Sequence, residues 1–208
     1  MSRFLITAVV AAGILAGAAV AHQMLRQRAT EVPGLERATL YQEPRPLPGF
    51  SLVDQDGAIF GPSRLRGRWS FLFFGFVNCP DICPTTLATL AAARNSLDEL
   101  PADARPGVTL VSVDPGRDTP AILGRYVSHF DRSFQGVTGS PAEIGTLARN
   151  LGVAVLVGAS DDTGNYPVDH SAAIFLVDPQ GRVAALFSAP HDAAVIARDF
   201  RRIVEADG

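Results

Sequence analysis

Phe71-Leu-Phe-Phe-Gly-Phe-Val-Asn-Cys-Pro-Asp-Ile-Cys-Pro-Thr-Thr86 is the stretch around which the rest of the chain falls into place. The run from Phe71 to Val77 is short, continuous and aromatic, the pattern of a strand buried on both faces. It stops at Asn78. The chain's two cysteines, Cys79 and Cys83, follow at once, with three residues between them and a proline after each. Pro80 predicts a helix start, because a proline at the first helical position gives up an N–H that has no intrahelical partner anyway. Cys79 is then expected at the helix N-terminus and Cys83 one turn further on. Residues i and i+4 share a helix face, so the two sulfurs point the same way.

A chain of 208 residues with 47% hydrophobic content reads as one domain with appendages and a real core. The net charge of −3 provides no basic field, so nucleic acid is not an expected partner. Phe4 to Ala21 is uncharged over 18 residues, just long enough to span a bilayer as a helix. The same stretch also fits a cleavable signal peptide, since Ala19-Val20-Ala21 has the small-x-small form of a cleavage site. Both readings export the remainder. The expected place is the bacterial inner membrane, single-pass, with the globular part in the periplasm.

In an exported protein two cysteines are by default a structural disulfide. A bridge across one helical turn closes a very small loop, however, and loop-closure stabilisation grows with loop length. The pair is better explained by chemistry. The helix N-terminus favours thiolate, which makes Cys79 the more reactive sulfur.

Residues 1–25 are thus read as the anchor or signal, 26–48 as a polar linker rich in proline towards its end, and 49–208 as the domain. Phe50–Val53 and Ala58–Phe60 form a hairpin turning at Asp56-Gly57. Trp69–Val77 is the central strand, Thr85–Leu100 a helix, and Val108–Val113 a second strand. Thr119 caps a helix to Phe130 with Pro120 at its first position. Phe134–Thr138 and Val153–Val157 read as strands, with a helix over Pro141–Leu151 between them. Gly158 to Asp169 is a long loop carrying Asp161 and Asp162. Ser171–Val177 and Val183–Phe187 pair as a hairpin, and Asp192–Val204 closes the chain as a helix. This order implies an α/β fold with a mixed sheet flanked by helices, in the thioredoxin-like arrangement.

Two thiolates on one face can exchange with disulfides or hold a soft metal. The usual redox spacing has two residues between the cysteines rather than three. Among the histidines, His22 follows the apolar segment, His129 sits late in a helix, and His191 opens the last helix at the surface. His170 stands apart, because in a thioredoxin-like layout the segment leading into its strand lies against the cysteine helix. A lone histidine at a strand end is otherwise more often an ordinary core residue than a ligand.

Three segments together, Phe74–Thr85, Val113-Asp-Pro-Gly-Arg-Asp-Thr119 and Val168-Asp-His170, resemble the SCO/SenC family of copper-binding proteins for cytochrome c oxidase assembly. The similarity spans roughly Gly49 to Glu205. It implies that Cys79, Cys83 and His170 bind one copper per chain, as Cu(I) or Cu(II). It also implies that the partner is oxidase subunit II with its dinuclear copper centre, and that other periplasmic copper chaperones are further partners. Two sulfurs and one imidazole leave a coordination position open, whereas structural zinc wants four protein ligands. Asp114 is either a group behind the ligands or the shaper of a turn before Pro115, Asp118 a turn or helix-start residue, and Asp169 either an orienter of His170 or a solvated loop charge.

Two functions compete on these residues. One is a copper metallochaperone. The other is a thiol–disulfide reductase acting on the target's cysteines, with Cys79 attacking and Cys83 resolving. A peroxidase reading lacks the threonine expected shortly before the cysteine and leaves His170 without a part.

Overall fold

The computed structural model describes residues 13, 14, 16–18, 32–101, 104–159, 161 and 166–207. The chain divides into two compact units, Met1–Gly34 and Leu35–Gly208. Most of the expected anchor, with His22, lies outside the described residues, and so does Asp162. Among the described residues no helix is long and apolar enough to cross a membrane.

The second unit is built on strand β4 (Ser70–Gly75), whose six residues are all buried. Around it lies a mixed sheet of eight strands in the order β1-β10-β9-β4-β5-β6-β2-β3. The strands are β1 (Ala38–Pro46), β2 (Leu52–Asp54), β3 (Ile59–Phe60), β5 (Gly107–Ser112), β6 (Gln135–Thr138), β9 (Ile174–Val177) and β10 (Arg182–Phe187). The remaining two strands, β7 (Val155–Val157) and β8 (Val168–His170), form a separate antiparallel pair. β4, β5 and β6 run parallel, and β9 lies antiparallel on the other side of β4. Parallel neighbours need a crossover, and helix α1 (Ile82–Asn95) supplies it between β4 and β5.

Helix α2 (Pro120–Phe130) begins as its sequence dictates: the Thr119 side chain accepts the Ile122 N–H and Pro120 takes the first position. Helix α3 (Pro141–Asn150) repeats the device with Ser140, which accepts the Glu143 N–H. Helix α4 (Ala193–Asp207) packs against α1 and buries Phe200 beside Phe71, ring centroids 5.7 Å apart. Alternation along β4 puts Phe71, Phe73 and Gly75 on one face. That face receives α4 at Phe71 and the cysteine helix at Gly75.

Three expectations change. The helix starts at Ile82, not at Pro80, so Cys79 lies in the turn before it. Val77-Asn78 needs a turn of its own, closed by the Cys79 N–H to the Phe76 carbonyl at 3.3 Å, before the chain can coil. The segment read as linker contains a nine-residue strand, β1, which pairs with β10 and finishes one edge of the sheet. His170 ends β8, in the separate pair, rather than beginning the sheet strand β9.

β1 is held at its start by a buried acid. The Asp199 carboxylate, fully buried on α4, accepts the N–H groups of Glu36, Arg37 and Ala38 at 2.9–3.1 Å. These donors gain no strand partner before β1 begins, so the carboxylate satisfies what would otherwise be a cluster of orphan amides. Asp199→Ala is expected to cost about 3 kcal/mol or more, since hydrogen bonds to a charged acceptor are each worth about 1.5–3 kcal/mol. Denaturant unfolding reads the loss, and faster amide exchange at Thr39 and Leu40 locates it. Unchanged exchange at those amides would remove Asp199 as the latch of β1.

Candidate metal centre

The site forms where β4 runs out. Gly75 is the last residue of β4, and a Cβ there would stand 3.0 Å from Cys83 Sγ, Leu110 Cδ1 and Phe73 Cε1. The missing side chain lets the first turn of α1 settle onto the strand end. Cys83 is therefore fully buried, whereas Cys79, in the preceding turn, is half-buried, and both are free thiols. Cys79 Sγ accepts the Cys83 backbone N–H at 3.4 Å. The sulfur thus serves the helix start in place of the Asp81 side chain, which makes no capping bond.

The third member arrives from β8. Cys83 Sγ and His170 Nε2 are 3.2 Å apart, and the ligand atoms of Cys79, Cys83 and His170 all lie within 4.8 Å of one another. Among the described residues this is the one group of His, Cys and carboxylate side chains placed to share an ion. His170 is oriented from three sides. Its Nδ1–H donates to the Ser171 carbonyl at 3.1 Å, and its ring meets Phe73 and Phe76 edge-on at 5.9 and 5.8 Å. With the proton assigned to Nδ1, Nε2 turns its lone pair towards the sulfurs, the tautomer that a metal ligand needs.

The electrostatics agree with that assignment. Burial pushes the Cys83 thiol up, and the neighbouring Cys79 sulfur adds to the rise against the Phe76 backbone bond that opposes it. Burial holds His170 below the ordinary imidazole value, opposed by the Ser171 carbonyl and the Asp169 charge. Both shifts favour a neutral thiol beside a neutral imidazole, with Cys83 Sγ and His170 Nε2 placed to share one S–H···N hydrogen bond. The donor set of two sulfurs and one imidazole suits a soft metal and falls one short of a closed structural zinc site.

Of the three acids weighed from the sequence, Asp118 departs most from its reading. Asp169 is exposed on β8, and the Nδ1 proton of His170 goes to the Ser171 carbonyl, so Asp169 acts on the ring through its charge alone. Asp114 is buried away from the ligands, accepting from Arg117 and from the Tyr166 hydroxyl. Asp118, read as a turn residue, is buried, and its Oδ2 accepts the Val77 N–H at 3.1 Å and the Ser112 hydroxyl at 2.7 Å. Burial pushes its carboxyl up, against the bonds from Ser112 and Val77.

His191 is half-buried rather than at the surface, and its Nε2–H donates to the Ala172 carbonyl at 2.6 Å, two residues beyond His170. His129 is exposed in the last turn of α2, as expected. Tyr126 was not singled out from the sequence. Its hydroxyl is buried without a hydrogen-bond partner, and burial, then the two cysteines, push it up. An aromatic in an amphipathic helix gives no local sign of such a place.

The sequence profile of the SCO1/SenC family matches residues 40–205. The mitochondrial SCO2 homologue of Bos taurus is 36% identical over 208 residues, covering 99% of this chain and 76% of that protein. Among solved structures, Arabidopsis thaliana ScoI with copper bound superposes with a TM-score of 0.70 at 34% identity, covering 76% of this chain and 98% of that one. Bradyrhizobium japonicum ScoI with copper bound gives 0.67 at 33% identity, with the same coverage. A family match over most of the domain, a relative this similar over nearly the whole chain and these superpositions agree, and this chain belongs to the SCO1/SenC family.

Proposed function

We propose that this chain is a copper metallochaperone that binds one copper ion, Cu(I) or Cu(II), through Cys79, Cys83 and His170. In this reading it delivers the ion to the dinuclear copper centre of cytochrome c oxidase subunit II. The observation that carries the proposal is the convergence of two free thiols and a sulfur-facing Nε2 within 4.8 Å. The copper-bound relatives support it. Three ligands leave room for an incoming thiolate of the recipient, so the ion can pass by ligand exchange without being released to water.

Exposed apolar side chains adjoin the ligands: Ile82 precedes Cys83, and Leu156 pairs with Asp169 on the β7–β8 ribbon. They suit a recipient protein or a periplasmic copper donor. The N-terminal segment fastens the domain to the bacterial inner membrane on its periplasmic side, where that recipient would be met.

A second reading is favoured by the unequal burial of the sulfurs. The half-buried Cys79 thiolate attacks a disulfide of the target, forming a mixed disulfide and expelling one target thiolate. Cys83 gives up its proton and attacks Cys79 Sγ. The products are a Cys79–Cys83 disulfide and the second target thiolate, with two electrons passed to the target. Both activities can serve one recipient, because its cysteines must be reduced before copper is loaded.

Copper titration of the reduced domain tests the first reading. One equivalent is expected, with sulfur-to-Cu(II) charge-transfer absorption, and His170→Ala should weaken binding about 10-fold or more and alter the spectrum. An unaltered spectrum and affinity would sink the three-ligand site. Binding should also strengthen with pH. Copper must displace the proton of Cys83, whose thiol is pushed up, whereas the lowered His170 is already unprotonated. Affinity should therefore rise at least about tenfold per pH unit between about pH 6.5 and 8; a flat profile would exclude Cys83 as a ligand. For the second reading, Cys83→Ser should trap Cys79 in a mixed disulfide with a target-site peptide, visible as a mass adduct. Failure to trap across a range of redox buffers would rule out exchange.

A further inference from the structure

The loop between β5 and α2, Val113-Asp-Pro-Gly-Arg-Asp118, touches both halves of the metal centre without supplying a ligand. On the cysteine side, Asp118 Oδ2 accepts the N–H of Val77, two residues before Cys79. On the histidine side, the Asp114 carboxylate accepts the hydroxyl of Tyr166, four residues before His170, and Arg117 binds both. The Arg117 guanidinium lies 3.8 Å over the Tyr166 ring and donates to the Tyr166 carbonyl at 3.3 Å. Gly116 leaves the space for this approach, since a Cβ there would come within 3.2 Å of the Tyr166 hydroxyl. Ser112 joins the two ends: its hydroxyl donates to Asp118 and accepts the Asp114 N–H at 3.0 Å.

Ser112, Asp114 and Asp118 are each no more than 2% exposed. Burying two carboxylates this close together is costly unless each is fully bonded. A turn alone needs neither, since an exposed Asp or Asn would shape it as well.

We propose that this loop is a two-armed brace that sets the span between the sulfur pair and the imidazole. Asp118 positions the cysteine turn, and the Asp114–Arg117–Tyr166 cluster positions the β7–β8 ribbon that carries His170. Because β8 is only three residues long, Tyr166 fixes the far end of the short lever on which His170 sits. The brace rests on the reading of Cys79, Cys83 and His170 as copper ligands, and it predicts that the two arms fail separately.

The test uses the whole chain with Tyr166→Phe, which deletes one hydroxyl, and Asp118→Ala, with Asp118→Asn as the conservative variant that keeps an acceptor. Tyr166→Phe should weaken Cu(II) binding roughly 10-fold and diminish the nitrogen hyperfine coupling of His170, while the sulfur charge-transfer band stays in place. Asp118→Ala should shift the sulfur band and leave the nitrogen coupling, and Asp118→Asn should restore most of it. Without copper, Asp118→Ala should speed amide exchange at Val77, and Tyr166→Phe should change the NMR shifts of the His170 ring. Unchanged metal spectra and affinity in both variants would overturn the brace. So would parallel loss of both signatures in step with unfolding stability, which is what a merely structural loop gives. If wild type itself binds no copper, the ligand reading fails, and the two copper-free measurements still decide whether the brace exists.

Discussion

The contact between Cys83 Sγ and His170 Nε2, 3.2 Å across 87 residues of sequence, is the constraint on which the architecture turns. It requires β4 to end at a residue without a side chain, α1 to begin over that end, and the β7–β8 ribbon to reach the same place from the far side of the fold. It also requires a protonation state. A buried thiol and a half-buried imidazole are tolerated as a neutral hydrogen-bonded pair, whereas an isolated thiolate or imidazolium in the same spot would carry a desolvation cost. The resting site is stable because it is neutral, and it is reactive because that neutrality depends on a single exchangeable proton.

Elements whose cause is local were legible in the sequence. The aromatic run became β4, Thr119-Pro120 started α2, Pro141 opened α3, and Asp56-Gly57 turned the first hairpin, with Gly57 at φ 81°. The grouping of Cys79, Cys83 and His170 was legible for a different reason: the fold analogy and the family resemblance brought His170 to the cysteines, and nothing in its own neighbourhood did. Elements with a distant cause were not legible. β1 looks like a linker because its partner, β10, and its latch, Asp199, lie more than 130 residues away. Pro80 suggested a helix start that the Phe76–Cys79 turn delays. Asp118 looks like a turn former because its real partner, the Val77 N–H, is on another loop.

Four of the five buried acids among the described residues, all but Asp114, share one use. Asp54 accepts the Asp56 and Ala58 N–H groups, Asp178 those of Gln180 and Arg182, Asp199 those of the residues entering β1, and Asp118 that of Val77. In each case a carboxylate satisfies backbone donors where regular structure stops, and the irregular segment becomes as fixed as the strands beside it. The first two secure hairpin turns and the third secures a sheet edge. The fourth secures the approach to a metal ligand, so a device that elsewhere serves stability here serves geometry.

That geometry links the two activities proposed for the cysteines. Copper binding and disulfide formation both begin with removal of the proton that Cys83 shares with His170, and each then occupies the sulfurs to the exclusion of the other. The dithiol, the disulfide and the copper-loaded form are three mutually exclusive fillings of one space. The imidazole distinguishes them. In the proposed copper form it would be a ligand; in the dithiol it is placed to accept the Cys83 proton, and in a disulfide there would be no sulfur-bound proton for it to receive. A histidine held by Ser171, Phe73 and Phe76 independently of the sulfurs stays in place through all three. On the proposed functions the centre would be reduced and then loaded without refolding, which is the physical condition for one protein to do both.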